Sequence, residues 1–217
     1  MNWKRWRRVP WIDTRAAFVA AVRRDGALLD LGTSDGSTLA HFAELRPDLR
    51  LHAVDIAPRP AGAPSEVEFV VADLERDTLP WPASTFDAIT CMHVVEHLHD
   101  LGNFWKEVSR LLRPGGRIYI ETPSPKSLVA SSATGKMAGQ TTQNFWDDPS
   151  HVRPVTIGAM AQAARSVNLR VENAGTSRNW LFALAYWPLR LVPVSRKRLV
   201  ARLHWTGWSA YLIASKV

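Results

Sequence analysis

Four of the chain's seven histidines sit in two short segments that concentrate its capacity for acid–base chemistry. The first, Cys91-Met92-His93-Val94-Val95-Glu96-His97-Leu98-His99-Asp100, spaces two imidazoles and a carboxylate at i, i+3 and i+4. A helix beginning there would present His93, Glu96 and His97 on one face. The second, Asn144 to Pro154, carries His151 and Arg153 just ahead of an amphipathic stretch. Imidazole titrates near neutrality, so His97 or His151 could take the proton from a hydroxyl that is about to react. The set His93, Glu96, His97 and His151 could instead gather round a divalent ion. Structural readings compete with both: Glu96-His97 only shapes a pocket, His151 caps a helix, and Arg153 pairs with Asp147 or Asp148.

A third stretch, ALLDLGTSDGST from Ala27 to Thr38, is an apolar run leading into a turn with Gly32 and Gly36 and then into helical spacing. A buried strand that feeds a glycine bend and a helix N-terminus suits a nucleotide, because glycine lets the backbone come close and the helix offers unpaired N–H groups. Asp55 ends the next strand, where a carboxylate can accept from both ribose hydroxyls. The plainer alternatives are an empty left-handed turn and a solvated strand-end acid.

The segment Asp30-Leu31-Gly32-Thr33-Ser34-Asp35-Gly36 resembles the D-x-G-x-G-x-G loop of class I S-adenosylmethionine-dependent methyltransferases, with Ser34 where the middle glycine is usual. Three further matches follow in the order seen in that class: Ala72-Asp73-Leu74 after strand three, Leu79-Pro80-Trp81 before Phe86-Asp87, and Leu111-Leu112-Arg113-Pro114-Gly115-Gly116-Arg117. Together they cover residues 27–122. The resemblance implies a cofactor site of Asp30, Gly32, Ser34, Gly36, Asp55, Ile56, Asp73, Leu74, Met92 and His93, with Asp73 toward the adenine amino group and Leu74 on its ring. His93-x-x-Glu96-His97 is similar to the E-x-x-E-H metal motif of ubiquinone-pathway and small-RNA 2′-O-methyltransferases, His93 replacing the first glutamate. The same place in many metal-free relatives also reads Glu-His-Leu, and the metal is the lesser expectation. The His151-Val152-Arg153-Pro154 segment resembles one in methyltransferases encoded among bacterial surface-polysaccharide genes, which implies His151, His97 and Arg153 as the acceptor-side residues.

The resemblance implies an α/β fold, a Rossmann-like seven-stranded mostly parallel sheet with helices on both faces and an antiparallel last strand. The 217 residues read as one domain: a cofactor core at 27–122, a lid and acceptor loop at 123–155, and an insertion at 178–207. Helices are expected at Thr14 to Arg24, Thr38 to Leu45 and Thr156 to Val167. Strands are expected at Ala27 to Leu31, Leu49 to Ile56, Val67 to Val71, from Phe86, Arg117 to Glu121, Leu169 to Ala174 and Trp208 to Ser215. The insertion replaces the usual hairpin between the last two strands with aromatic, aliphatic and basic residues, the composition of bilayer-surface segments. A helical pair packed on the sheet, or a homodimer interface, are the competing accounts.

The formal charge of +7 is uneven. Residues 1–8 hold four basic side chains and no acid, and seven basic side chains and no acid follow Glu172, so the ends carry +11 and the middle −4. Cys91 is the single cysteine and cannot form an internal disulfide. Met1 to Trp11 lacks the apolar stretch of a secretory signal, and the longest apolar run, Trp180 to Val194, is broken by Pro188, Arg190 and Pro193. A cytoplasmic protein is expected, either soluble or peripheral on the inner face of the cell membrane.

The expected activity is methyl transfer from S-adenosylmethionine to an oxygen of a small or glycan/lipid-linked acceptor. A non-catalytic binding module, an RNA-directed methyltransferase and a nicotinamide-dependent oxidoreductase are the alternatives. The Asp73 and Pro-Gly-Gly pattern disfavours the last. Nucleic acid is disfavoured because the basic residues are interleaved with apolar ones.

Overall fold

The structure is a computed structural model that describes residues 10–132 and 143–217. The N-terminal Trp3-Lys4-Arg5-Trp6-Arg7-Arg8 and residues 133–142 of the segment expected to form a lid lie outside the described residues.

Asp13 opens the first helix, α1 (Thr14–Ala20), by accepting from the amides of Arg15 and Ala16. The chain then alternates through β1 (Ala27–Leu31), α2 (Ser37–Leu45), β2 (Arg50–Asp55), β3 (Glu68–Val71) and β4 (Phe86–Met92). It continues with α3 (Gly102–Leu111), β5 (Leu112–Pro123), α4 (Ile157–Ser166) and β6 (Leu169–Ser177), and ends with α5 (Trp180–Leu189), α6 (Arg196–Thr206) and β7 (Ser209–Lys216).

The strands form one sheet in the order β3-β2-β1-β4-β5-β7-β6. β1 to β5 pair in parallel, and β7 runs antiparallel to both β5 and β6. Strand β1 is buried along its whole length, and its alternation feeds two cores. Leu29 and Leu31 pack with Trp105, Val108, Met160 and Ala164 of α3 and α4. Leu28 packs with Phe18, Val19, Leu39 and Phe42 of α1 and α2 on the other face. The fold is thus the Rossmann-like α/β sheet expected, with helices on both faces.

Two expectations need correction, and the insertion takes the form of one of its stated alternatives. No helix starts at Cys91: β4 runs on to Met92, His93 takes a left-handed φ of 56°, and a short 3-10 turn covers Val95–His97. β5 takes in the Pro-Gly-Gly turn as an irregular start, pairing Phe86 with Leu112 before it settles into Ala88 with Arg117. The insertion is a helical hairpin, α5 packed on α6 through Phe182 against His204 and Trp187 against Trp205.

Candidate functional site

Between β1 and β4 the strand order reverses direction, and there the carboxyl ends of parallel strands leave a crevice. A cavity of about 790 Å³ opens at this point, within the span of small-molecule sites. Gly32, Ser34, Asp55, Ile56, Asp73, Leu74 and His93 of the expected cofactor set line it, as does His97. Asp30, Gly36 and Met92 do not. Asp30 lies buried beneath the loop, accepting from the Thr90 hydroxyl at 2.7 Å, and burial pushes its carboxyl up to about 7. Gly36 closes the loop from behind: at φ 78°, a Cβ there would meet the Ala63 amide nitrogen at 2.5 Å. Met92 packs into the α1/α2 core.

The loop is held by Asp55. One carboxylate oxygen accepts from the Ser34 amide at 2.8 Å and the other from the Ala57 amide at 2.9 Å. Each oxygen retains a second lone-pair direction for a ligand hydroxyl. Ser34 adopts φ 50°, the left-handed conformation that a glycine would take without strain. The serine therefore keeps the glycine's backbone path. Gly32, at φ 79°, has no room for a Cβ, which would sit 2.2 Å from Val94 Cγ2. Across the cavity, Asp73 caps its own turn, accepting from the Glu75 amide at 2.8 Å.

His93 is pinned at both ring nitrogens. Nδ1 meets Glu96 Oε1 and Nε2 meets Glu121 Oε1, each at 3.1 Å. Burial alone would lower its pKa. The hydrogen bonds and charges of Glu121 and Glu96 overcome that and hold it at about 9. Glu121 is fully buried, and Arg15 grips it with two guanidinium nitrogens while the Tyr119 hydroxyl donates to it at 2.7 Å. Burial would raise the Glu121 carboxyl, but Arg15 holds it well below the usual range. Arg15, Glu121, His93 and Glu96 thus alternate in charge from α1 to the cavity wall. Neither Arg15 nor Glu121 was expected from the sequence, although an acid at the end of an Ile-Tyr-Ile strand is a signal that a cation must answer it.

The expected metal set does not assemble as a set of four. Donor atoms of Glu96, His97 and His151 lie within 4.8 Å of one another, without His93. His93, an imidazolium with both nitrogens engaged, has no lone pair for a metal. Both Glu96 oxygens are committed, one to His93 and one to the Thr122 hydroxyl at 3.0 Å. The two histidines remaining form a close pair, their rings 4.8 Å apart. His151 Nδ1 lies 2.5 Å from the Phe145 carbonyl and His97 Nδ1 3.2 Å from the Ser150 carbonyl. A carbonyl only accepts, so each Nδ1 carries its hydrogen and each Nε2 keeps a lone pair. His151 does not cap α4; the Thr156 hydroxyl does. The Arg153 side chain is exposed and makes no ion pair or hydrogen bond among the described residues.

Residues 3–174 match a family described as a methyltransferase domain. The chain belongs to that family. It is an enzyme of the methyltransferase class, with S-adenosylmethionine as the methyl donor. The ubiquinone biosynthesis O-methyltransferase of Pseudomonas putida (strain GB-1) is 25% identical over 198 residues, covering 84% of this chain and 75% of that protein. The protein YafE of Escherichia coli (strain K12) is 27% identical over 139 residues, covering 60% of this chain and 61% of that protein. Among solved structures, an S-adenosylmethionine dependent methyltransferase from Mesorhizobium loti superposes with a TM-score of 0.66 at 17% identity, covering 92% of this chain and 96% of that one. The cavity suits such a donor: it has a glycine-lined approach, a strand-end carboxylate with free lone pairs, and apolar walls from Ile56, Leu74, Val94 and Leu98.

Proposed function

We propose that the chain transfers a methyl group to a hydroxyl oxygen of a glycan or lipid-linked acceptor, with His151 and His97 handling the acceptor's proton. The observation that carries this reading is the histidine pair, each ring fixed by a backbone carbonyl so that Nε2 can accept. S-adenosylmethionine supplies an already reactive methyl, so the protein's part is alignment, removal of water and acceptance of one proton. Asp55 would hold the ribose hydroxyls, Asp73 and Leu74 the adenine, and the Gly32–Gly36 loop the methionine end. Arg153, exposed after the pair, would meet an anionic part of the acceptor. Asp148, whose carboxylate lies 3.9 Å from His151 Nε2, would stabilise the imidazolium that forms on proton uptake. Proton transfer is favoured over metal activation because both Glu96 oxygens already have partners. The similarity of the His151 segment to enzymes of surface-polysaccharide genes supports a glycan.

The test is mass spectrometry of cell-envelope glycans and glycolipids incubated with the purified enzyme and labelled donor. The expected product is an alkali-stable methyl ether whose formation is lost in His151→Ala and indifferent to chelators. An alkali-labile methyl ester would overturn the hydroxyl assignment, and activity abolished by chelators and restored by a divalent ion would replace the base with a metal.

A further inference from the structure

The side of α5 that faces water is apolar, like the rest of the helix. Trp180, Leu184, Trp187 and Leu191 are 51, 61, 50 and 89% exposed, and their spacing of i, i+4, i+7 and i+11 places them in one stripe. Leu191 stays on this line because its amide donates to the Pro188 carbonyl, carrying the turn past the end of the helix. The helix already has a packed side. Ala183 is buried, Phe182 stacks on His204 at 5.3 Å, and the Asn179 side chain caps the first turn while bonding to Asp13 at 2.9 Å. The stripe is therefore left over from a firmly anchored element, not the exposed side of a loose one.

Cations bracket it. The Arg178 guanidinium lies over the Trp180 ring at 5.4 Å, and that of Arg190 over Trp187 at 5.3 Å. Past the turn, where Val192 and Val194 are also exposed, Arg196 and Lys197 project from the start of α6. No acidic residue occurs after Glu172. Indole and leucine in a row, with guanidinium at each end, complement a surface that is apolar just below an anionic layer.

We infer that the α5–α6 hairpin docks the enzyme on an anionic lipid bilayer, with Trp180, Leu184, Trp187 and Leu191 entering the interface and Arg178, Arg190, Arg196 and Lys197 meeting lipid phosphate. A second copy of the chain fits this surface less well. A two-fold dimer through the stripe would set the same cations of both copies together with no acid on either hairpin to neutralise them. The hairpin also reaches the site: it returns through Trp208, whose indole lies 5.5 Å from the His93 ring on the cavity wall. Docking would hold the cavity against the surface from which a lipid-linked acceptor arrives. The inference rests on the hairpin's surface and not on the identity of the acceptor.

The experiment is co-sedimentation of the full chain with vesicles of phosphatidylcholine alone and with phosphatidylglycerol added. The wild type is expected to pellet only with the anionic vesicles, less so as salt rises. Trp180→Ser/Leu184→Ser/Trp187→Ser should lower partitioning at least about tenfold. Arg190→Gln/Arg196→Gln/Lys197→Gln should lower it about fivefold per charge, on the order of a hundredfold in all. All these side chains are exposed, and unchanged circular dichroism and donor binding would show that the variants fold. Equal pelleting of the serine variant, or no pelleting by wild type, would overturn the docking. So would light scattering that finds a wild-type dimer and a serine-variant monomer. A wild type that pellets but binds no S-adenosylmethionine would instead sink the methyltransferase reading and leave the docking standing.

Discussion

Replacing Glu121 by glutamine tests whether an ion pair at the cavity wall, and not the cavity's lining alone, sets the charge beside the proposed donor site. The carboxylate accepts from Arg15 Nε at 2.7 Å, from Tyr119 at 2.7 Å, from His93 at 3.1 Å and from a second Arg15 nitrogen, and none of it reaches solvent. Glutamine keeps the shape but offers one acceptor, and its amide must turn a donor toward Arg15, His93 or Tyr119. Removing one partner of a fully buried pair costs about 3–5 kcal/mol, because the other charge stays behind. The Arg15 side chain is 35% exposed, so water takes up part of that charge and a loss of roughly 2–3 kcal/mol is expected. His93 also loses a charged hydrogen bond of roughly 1.5–3 kcal/mol, which at about 1.4 kcal/mol per unit lowers its pKa by about one to two units from 9.

The pH dependence has a definite sign. The folded pKa of His93 lies above its ordinary value of 6.5, so its contribution to stability is complete below that value and is lost as pH rises through 9. Urea unfolding of the wild type should show this decline, and Glu121→Gln should be less stable throughout with a decline starting at lower pH. Imidazole resonances, assigned with His93→Gln, give the titration directly. A loss below about 1 kcal/mol with His93 still protonated at the wild-type pH would refute the alternating-charge account.

Two further substitutions address the proposed donor loop. Asp55→Ala frees the Ser34 and Ala57 amides and removes the proposed ribose acceptor, so calorimetry should find S-adenosylmethionine binding weaker by about ten- to a hundredfold; equal affinity would dismiss the ribose role. Ser34→Gly removes the cost of a left-handed serine, about 1–2 kcal/mol, against the entropy glycine brings to the unfolded chain, roughly 0.5–1 kcal/mol. A small rise in melting temperature with unchanged donor affinity is expected, and a fall would show that the hydroxyl holds the loop.

The parallel core was readable because each of its strands is a short apolar run closed by a turn with its own chemistry. Ala27–Leu31 ends at a glycine bend, and Arg50–Asp55 ends at an acid. The order of the motifs between them carried the resemblance that implied the sheet. The insertion was less legible: aromatic and basic composition marked 178–207 as unusual, but α5 is apolar on every side and so lacks the alternation of polar and apolar faces from which a helix is read. What settles it as helix is distant in sequence, the Asn179 cap tied to Asp13 and the stacking of Phe182 on His204.

The segment after β4 shows how spacing can mislead about function while marking the right place. Three residues at i, i+3 and i+4 gather on a helix face, but here a left-handed residue followed by a tight turn aims His93 and His97 apart. His93 turns to Glu121, a residue 28 positions away that the local pattern could not include. His97 turns to the segment between β5 and α4, where it meets His151. One motif is thereby divided between two tasks. His93 becomes a fixed cation that extends the Arg15–Glu121 pair to the cavity wall, and His97 joins a second imidazole with its accepting nitrogen free. A metal would have needed lone pairs from both histidines at one point. The backbone at His93 prevents that, and the charge balance of the buried network gives its imidazole a reason to stay protonated.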